Sequence, residues 1–414
     1  MKNRRRVVVT GLGVVSPIGL TPSALWDSIS SGRTGIAALR AFDLTDYRVK
    51  IGAEVDNLQL EKAAQEIGLR LSDRTMDLAV IAARSALTDA GHDLASASYS
   101  GMDMPVIFGS ASGSQHSLYD CNTRFAEKGV RGLRPTSVPR CMANAISARI
   151  SLRFGLRGAN YVVASACTSS TNAMGIAFRM IRDGYADRVL CGGSDATFDP
   201  FVYGGWNNLG VMSKNPDPLT ACRPFDAHRD GCVLGEAAGA LVLEAGDVAS
   251  ARSASIHAEV LGYGESSDAA HITRPSADGQ AAAIQNALDD AGIDAGDVGY
   301  INAHGTATEA NDECESAAIR KAFGSAADKT PVSSLKSYLG HTLGASGAVE
   351  SVATILALRH GLAPANLNLS TPDPACNINL VDSEGVAIQG SIAMKNSFGF
   401  GGGNGVLVLC GVRA

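Results

Sequence analysis

Aromatic residues are scarce in this 414-residue chain, at 5%, and charged residues reach only 18%. The formal net charge is −6, which argues against a general nucleic-acid binder, since such a protein needs a basic field. Cysteine occurs nine times, an odd number, and never as Cys-x-x-Cys. Disulfide frameworks and zinc sites therefore lack their spacing signals, and a reducing cytoplasm is the simplest compartment. No apolar run approaches the ~18 residues of a membrane-spanning helix. The start, Met1-Lys-Asn-Arg-Arg-Arg6 followed by Val-Val-Val, imitates a signal peptide. Its apolar run is short, β-branched and broken by Gly11 and Gly13, with no small-x-small cleavage site after it. What is abundant is hydrophobic residues, at 45%, and glycine, at 46. That composition fits a soluble globular protein large enough for two core-forming units.

Strand-like and helix-like runs alternate, which indicates an α/β fold. Val7–Thr10, Pro105–Phe108, Tyr161–Ala164 and Val189–Cys191 read as strands. Leu71–Ala90, Ala143–Phe154 and Ser170–Asp183 read as helices. The pattern also repeats weakly. Val7-Val-Val-Thr-Gly-Leu-Gly13 resembles Ala258-Glu-Val-Leu-Gly-Tyr-Gly264, Val106–Ser110 pairs with Tyr300–His304, and the unit ending at Gly184 pairs with the one ending at Gly361. Two related halves, 1–250 and 251–414, meet near Gly246–Ser255, and the first half carries the insertions.

Cys167 lies in Tyr161-Val-Val-Ala-Ser-Ala-Cys-Thr-Ser-Ser-Thr-Asn-Ala-Met-Gly175, a strand, a turn of small residues and a helix. It falls where the helix should begin, facing unpaired N–H groups and the positive end of the dipole. A free thiol titrates near ~8.5, and such a position lowers that value. Locally, an activated nucleophile and a small cysteine packed in a tight turn both fit.

Three C-terminal segments add chemistry. His304 ends a strand in Asn302-Ala-His-Gly-Thr-Ala-Thr308. Lys336 and His341 lie in Ser333–Gly347, just before the apolar run Ala348–Leu358. Basic groups at a helix N-terminus oppose the dipole, which keeps an imidazole there neutral and points to function. Asn396-Ser-Phe-Gly-Phe-Gly-Gly-Gly-Asn404 is a glycine run that brings backbone N–H groups close to a substrate and can move. Its phenylalanines, Phe398 and Phe400, argue against a plain surface turn.

Together these motifs resemble the elongating β-ketoacyl-acyl-carrier-protein synthases of the thiolase superfamily. The resemblance runs from Val7 to Leu409 and keeps the motifs in order. It implies a thiolase fold, two βαβαβαββ halves in a layered αβαβα core. It implies decarboxylative condensation of a malonyl thioester with an acyl group carried on Cys167. His304 and His341 then donate hydrogen bonds to the malonyl thioester oxygen, Lys336 is the buried lysine, and Glu315 is its paired carboxylate. Backbone N–H groups of Cys167 and Phe400 form the oxyanion hole, with Phe400 as gate. Thr306, Thr308 and Thr273 resemble pantetheine-binding hydroxyls. No cofactor or metal is implied, because the substrates ride on the phosphopantetheine of an acyl carrier protein. A homodimer, or a heterodimer with a related chain, is expected.

Some residues depart from the fatty-acid branch. Gly403 stands where threonine is usual, which should loosen the gating loop. Ser112, in Gly109–Ser114, falls where the family limits the acyl chain, and Arg134–Pro139 is polar. These departures favour unsaturated or oxygenated chains, as in polyketide, polyene or nodulation-factor synthesis, over housekeeping elongation. Lys128, Arg131, Arg134, Arg140, Arg149, Arg153 and Arg157 face only Glu127 in charge, a patch that suits an acidic carrier protein; ordinary solvated arginines explain it equally. A degradative thiolase would need a second acid–base cysteine, but Cys410 lies in a strand-like run. A non-catalytic chain-length partner would lack Cys167, and initiating synthases use Cys-His-Asn.

Overall fold

A computed structural model describes residues 4–92, 94 and 102–412. A ten-stranded sheet runs through the molecule. Its first five strands in chain order are β1 (Val7–Val15), β2 (Val106–Gly109), β3 (Asn160–Val163), β4 (Arg188–Asp195) and β5 (Ala237–Ala245). The next five are β6 (Ala258–Ser267), β7 (Tyr300–Asn302), β8 (Val332–Ser333), β9 (Ile392–Phe398) and β10 (Gly403–Gly411). Outward from the centre, one set runs β1-β5-β4-β2-β3 and the other β6-β10-β9-β7-β8. The two orders coincide strand for strand. In each, the two inner pairings are antiparallel and the two outer ones parallel. Even the β-bulge repeats, between Val9 and Gly11 in β1 and between Val260 and Gly262 in β6.

Helices α1 (Arg74–Asp89), α2 (Ala145–Phe154), α3 (Ser169–Arg182), α4 (Pro200–Leu209), α5 (Ala277–Ala291), α6 (Glu309–Phe323) and α7 (Ser346–His360) join these strands. Helices α3 and α7 each touch strands of both sets and form the central layer. The first set carries α1 and α2 on its outer face, and the second carries α5 and α6. The result is the layered αβαβα thiolase fold.

The sequence explains these positions. The central helix α7 is buried on every face from Ser346 to Leu358, which an all-round apolar helix requires. The outer helix α5 buries Ala283, Ile284, Ala287 and Leu288 along one stripe. Strands β1 and β5 are buried along their whole length, so they read as continuous apolar runs. The helix expected from Leu71 starts at Arg74 because the Asp73 side chain caps it, accepting from Met76 N. The strand expected to stop at Thr10 runs on to Val15 through its bulge. Among the described residues, no helix is long and apolar enough to cross a membrane.

Candidate active site

The candidate residues all follow the C-terminal ends of strands: Cys167 after β3, His304 after β7, Lys336 and His341 after β8, and the phenylalanine loop after β9. The turn after β3 is built by its own hydroxyls. Thr168 Oγ1 donates to Ser165 O at 2.7 Å, Ser169 Oγ donates to Ala166 O at 2.6 Å, and Ser165 N donates to Ser169 Oγ at 2.9 Å. These bonds hold Ala166 at φ 54°, a left-handed conformation rare outside glycine. The turn delivers Cys167, buried, into a cavity just ahead of α3.

His341 Nε2 lies 3.1 Å from Cys167 Sγ, and its Nδ1 lies 3.1 Å from Ser346 Oγ, at the start of α7. Its backbone N–H donates to Val233 O at 2.6 Å, which fixes the main chain there. His304 packs edge-on to His341, with centroids 5.3 Å apart and planes at 83°. Phe398 stands against His304 at 6.0 Å. Glu315, on α6, accepts from the backbone N–H groups of His304 at 2.8 Å and Gly305 at 2.7 Å, and from Asn396 Nδ2 at 3.2 Å.

The buried lysine has a different partner from the one expected. Lys336 Nζ lies 2.8 Å from Glu350 Oε1, and Lys395 Nζ lies 2.8 Å from Glu350 Oε2. Glu315 does not pair with Lys336, because its oxygens are taken up by backbone N–H groups. Glu350, in the second turn of α7, projects between the two ammoniums instead.

Burial pushes the Cys167 thiol up to about 11, against the pull of Lys336 and the Phe400 backbone N–H. The lowered thiol pKa expected at a helix N-terminus is therefore overturned: loss of water outweighs the local donors. Burial also drives His304 and His341 well below the ordinary imidazole value, and Lys336 and Lys395 push the same way. Both rings are neutral near pH 7, as expected for His341. The Cys167, His304 and His341 donor atoms all lie within 4.8 Å of one another. That spacing suits a metal ion, but the two buried ammoniums oppose a divalent cation there.

Residues 4–249 match the N-terminal domain model of the β-ketoacyl synthases, and residues 257–370 match the C-terminal one. The chain belongs to the β-ketoacyl synthase family. The synthase is 40% identical over 404 residues to 3-oxoacyl-[acyl-carrier-protein] synthase 2 of Synechocystis sp., covering 97% of each chain. It is 38% identical over 410 residues to the synthase 2 of Staphylococcus aureus, covering 99% of each. Among solved structures it matches the ishigamide ketosynthase/chain length factor with a TM-score of 0.90 and 35% identity, over 99% of this chain and 100% of that one. It matches AntDE:AntF, a type II polyketide ketosynthase with its acyl carrier protein, with a TM-score of 0.91 and 30% identity, over the same shares. It is an acyltransferase of the condensing-enzyme class.

The structure brings most of the remaining expected residues to the synthase cavity. Thr306, Thr308 and Thr273 line it. Thr306 and Thr308 share a hydroxyl bond of 2.8 Å, and Thr308 also caps α6. Phe400 lines the cavity and stacks on Trp206 of α4, centroids 5.8 Å apart. Ser112 stands apart: its backbone N–H is tied at 3.0 Å to Asp195, and it does not line the cavity. Its neighbour Ala111 packs against the apolar cluster that contains Cys167. The expected loosening at Gly403 has no conformational basis there, since its φ is −73° and the left-handed positions are Gly401 and Gly402. The arginine patch is narrower than its sequence suggests. Arg140, Arg149 and Arg153 donate to the carbonyls of Ser72, Arg70 and Ile67, joining α2 and the segment before it to the chain ahead of α1.

Sequence reading missed Glu350, Lys395 and Asp195. A lone acid in an apolar helix was a signal for Glu350, and a lysine in a strand run was one for Lys395. Asp195, at the end of β4, accepts from Ser110 Oγ, Ala111 N and Gly344 N, each at 2.8 Å. It ties the loop after β2 to the segment that follows His341.

Proposed function

We propose that Cys167 carries the acyl group and that His304 and His341 stabilise the malonyl enolate. The observation that carries this reading is the 3.1 Å contact from Cys167 Sγ to a neutral His341, with neutral His304 packed edge-on beside it. In the first stage Cys167 sulfur attacks the acyl thioester while His341 Nε2 takes its proton. The carrier thiolate leaves and takes that proton back. Backbone N–H groups of Cys167 and Phe400, both directed at the sulfur, hold the oxyanion. In the second stage the malonyl C–C bond breaks, CO₂ leaves and the electron pair forms an enolate. Its oxygen accepts from His304 and from His341 in the tautomer that carries its proton on Nε2, with Nδ1 then accepting from Ser346 Oγ, and a neutral ring donates without giving up its proton. The enolate carbon then attacks the acyl carbonyl, and the C–S bond breaks to free Cys167. Removing one such donor costs on the order of 3 kcal/mol of barrier.

Thr306, Thr308 and Thr273 hold the pantetheine arm, Phe400 gates the acyl side, and an acyl carrier protein delivers both substrates. The names of the relatives support that partner. A homodimer or a heterodimer with a related chain is supported by β3, an edge strand with exposed Tyr161, and by exposed Leu152 and Val138 nearby. The repeated strand order supports a division into 1–250 and 251–414. Nine free cysteines support a reducing, cytoplasmic setting.

For the substrate we propose polyketide, polyene or another specialised acyl chain, which the ishigamide and AntDE:AntF similarities support. Housekeeping fatty-acid elongation is the second reading, favoured by the synthase 2 relatives. Intact-mass spectrometry after incubation with a panel of acyl carrier proteins tests both. An acyl adduct that vanishes in Cys167→Ala is expected. No adduct, or one that survives Cys167→Ala, overturns the central reading. Saturated medium chains that load and extend as fast as polyene or polyketide ones decide for the second.

A further inference from the structure

Lys395 has no part in the chemistry above, yet it is fully buried beside it. Its ammonium pairs with Glu350 Oε2 at 2.8 Å and donates to Ser397 Oγ at 3.3 Å and to Asn396 O. Ser397 Oγ bonds Thr171 Oγ1 at 2.7 Å, in the first turn of the helix behind Cys167. Asn396 donates to Glu315, the carboxylate that holds the His304 backbone. One ammonium thus touches the Glu350 carboxylate that pairs with Lys336, the strand segment that reaches Glu315, and the hydroxyl bridge to the nucleophile helix.

Filling this space did not require a charge. A methionine has similar length and no desolvation penalty. Lys336 already satisfies Glu350 Oε1. The charged and titratable groups around Lys395 are Glu350 from α7, Lys336 after β8, Glu315 from α6, and the imidazoles of His304 and His341. Burial lowers the Lys395 pKa and raises that of Glu315, while the pairing with Glu350 favours the charged lysine; with Lys395 charged, two ammoniums face two carboxylates. Without it, that buried set is formally negative where a malonyl carboxylate must enter and an enolate must form.

We propose that Lys395 is a positioning residue for the condensation half-reaction. It holds Glu350 and the Asn396–Glu315 support in register, and it supplies the positive charge that lets the site accept an anionic extender. This rests on the reading of His304 and His341 as donors to the malonyl thioester. Acyl loading of Cys167 does not involve that anion, so the level of acyl adduct reached at completion is insensitive to Lys395. Lys395 also adds to the field that keeps both imidazoles neutral.

The test is Lys395→Met, with Lys395→Gln as a second variant, assayed for the Cys167 acyl adduct by intact mass and for CO₂ release from a malonyl thioester across pH. The adduct is expected at the wild-type level. Decarboxylation is expected to fall roughly tenfold or more, less than a directly contacting donor would cost. Its acid limb moves up by about one pH unit, because losing a like charge makes the imidazoles easier to protonate. Wild-type decarboxylation with an unmoved limb overturns the proposal. So does an equal fall of both half-reactions with the limb unmoved, or failure of both variants to fold, since each shows a purely structural lysine. His304→Ala and His341→Ala, run in parallel, report the underlying reading: wild-type decarboxylation in both refutes that reading whatever Lys395 does.

Discussion

At Cys167, loss of water and local donors pull in opposite directions, and water wins in the free enzyme. Burial raises the thiol to about 11 although Lys336 and the Phe400 N–H favour the thiolate. The thiol therefore reacts through a neighbour that takes its proton, and His341 Nε2 is the group at 3.1 Å. Alkylation of Cys167 by iodoacetamide should rise with pH toward a midpoint near 11, well above the ~8.5 of a free thiol. A midpoint at or below ~8.5, read from alkylation rates across pH, contradicts this account. Glu350 makes a second residue-scale case. Its removal leaves two ammoniums in a dry core, so Glu350→Ala should cost about 3–5 kcal/mol in urea unfolding. Glu315→Gln keeps one acceptor for the backbone N–H groups and should cost less, about 1–3 kcal/mol. Cys167, His304, Lys336 and His341 stood out as candidates because their motifs, taken together and in order, resemble those of a family. The partner of Lys336 was not legible, because Glu315 and Glu350 are both acids on helices, and only packing decides which reaches the ammonium.

At the scale of elements, the loop between β9 and β10 separates glycine as a requirement from glycine as a habit. Gly402 has φ 77°, and a Cβ there would meet Asp268 Cβ at 2.9 Å. Gly403 has an extended backbone at φ −73°, ψ 130°, and a Cβ there would meet Thr168 Oγ1 at an ordinary 3.5 Å. Gly403→Ala should therefore stabilise the synthase by about 0.4–1 kcal/mol by restricting the unfolded chain, whereas Gly402→Ala should destabilise it. Thermal unfolding of the two variants checks the pair, and a destabilised Gly403→Ala would count against it. Helix caps and strand cores were legible at this scale, since Asp73 and the apolar run of β1 announce themselves locally. The tether from Asp195 to Ala111 and Gly344 was not, because it joins loops far apart in sequence.

Across the whole molecule, burying two neutral imidazoles couples stability to pH. His304 and His341 titrate well below their ordinary value when folded. Below about 6.5 the unfolded chain binds protons that the folded one excludes, so these residues lower stability as pH falls. Asp195, raised to about 6 by burial, acts the other way, since the folded form binds its proton more readily. A His304→Gln, His341→Gln double variant should thus lose less stability than the wild type between pH 7.5 and 5.5 in urea unfolding. An equal or larger loss would remove the histidines from the explanation.

The sequence by itself determined the alternation of strands and helices and the weak internal repeat, and it offered Cys167, His304, Lys336 and His341 as candidates through motifs that resemble a family. These follow from local rules: side-chain periodicity, turn chemistry and motif runs. Only the tertiary structure decided that the two strand orders coincide, that Glu350 holds both Lys336 and Lys395, and that Ser112 does not line the cavity. It also decided that Cys167 is a high-pKa thiol beside a neutral imidazole. Each of these depends on which groups meet across the central layer and how much water that meeting removes. Neither quantity is encoded in any short stretch of chain.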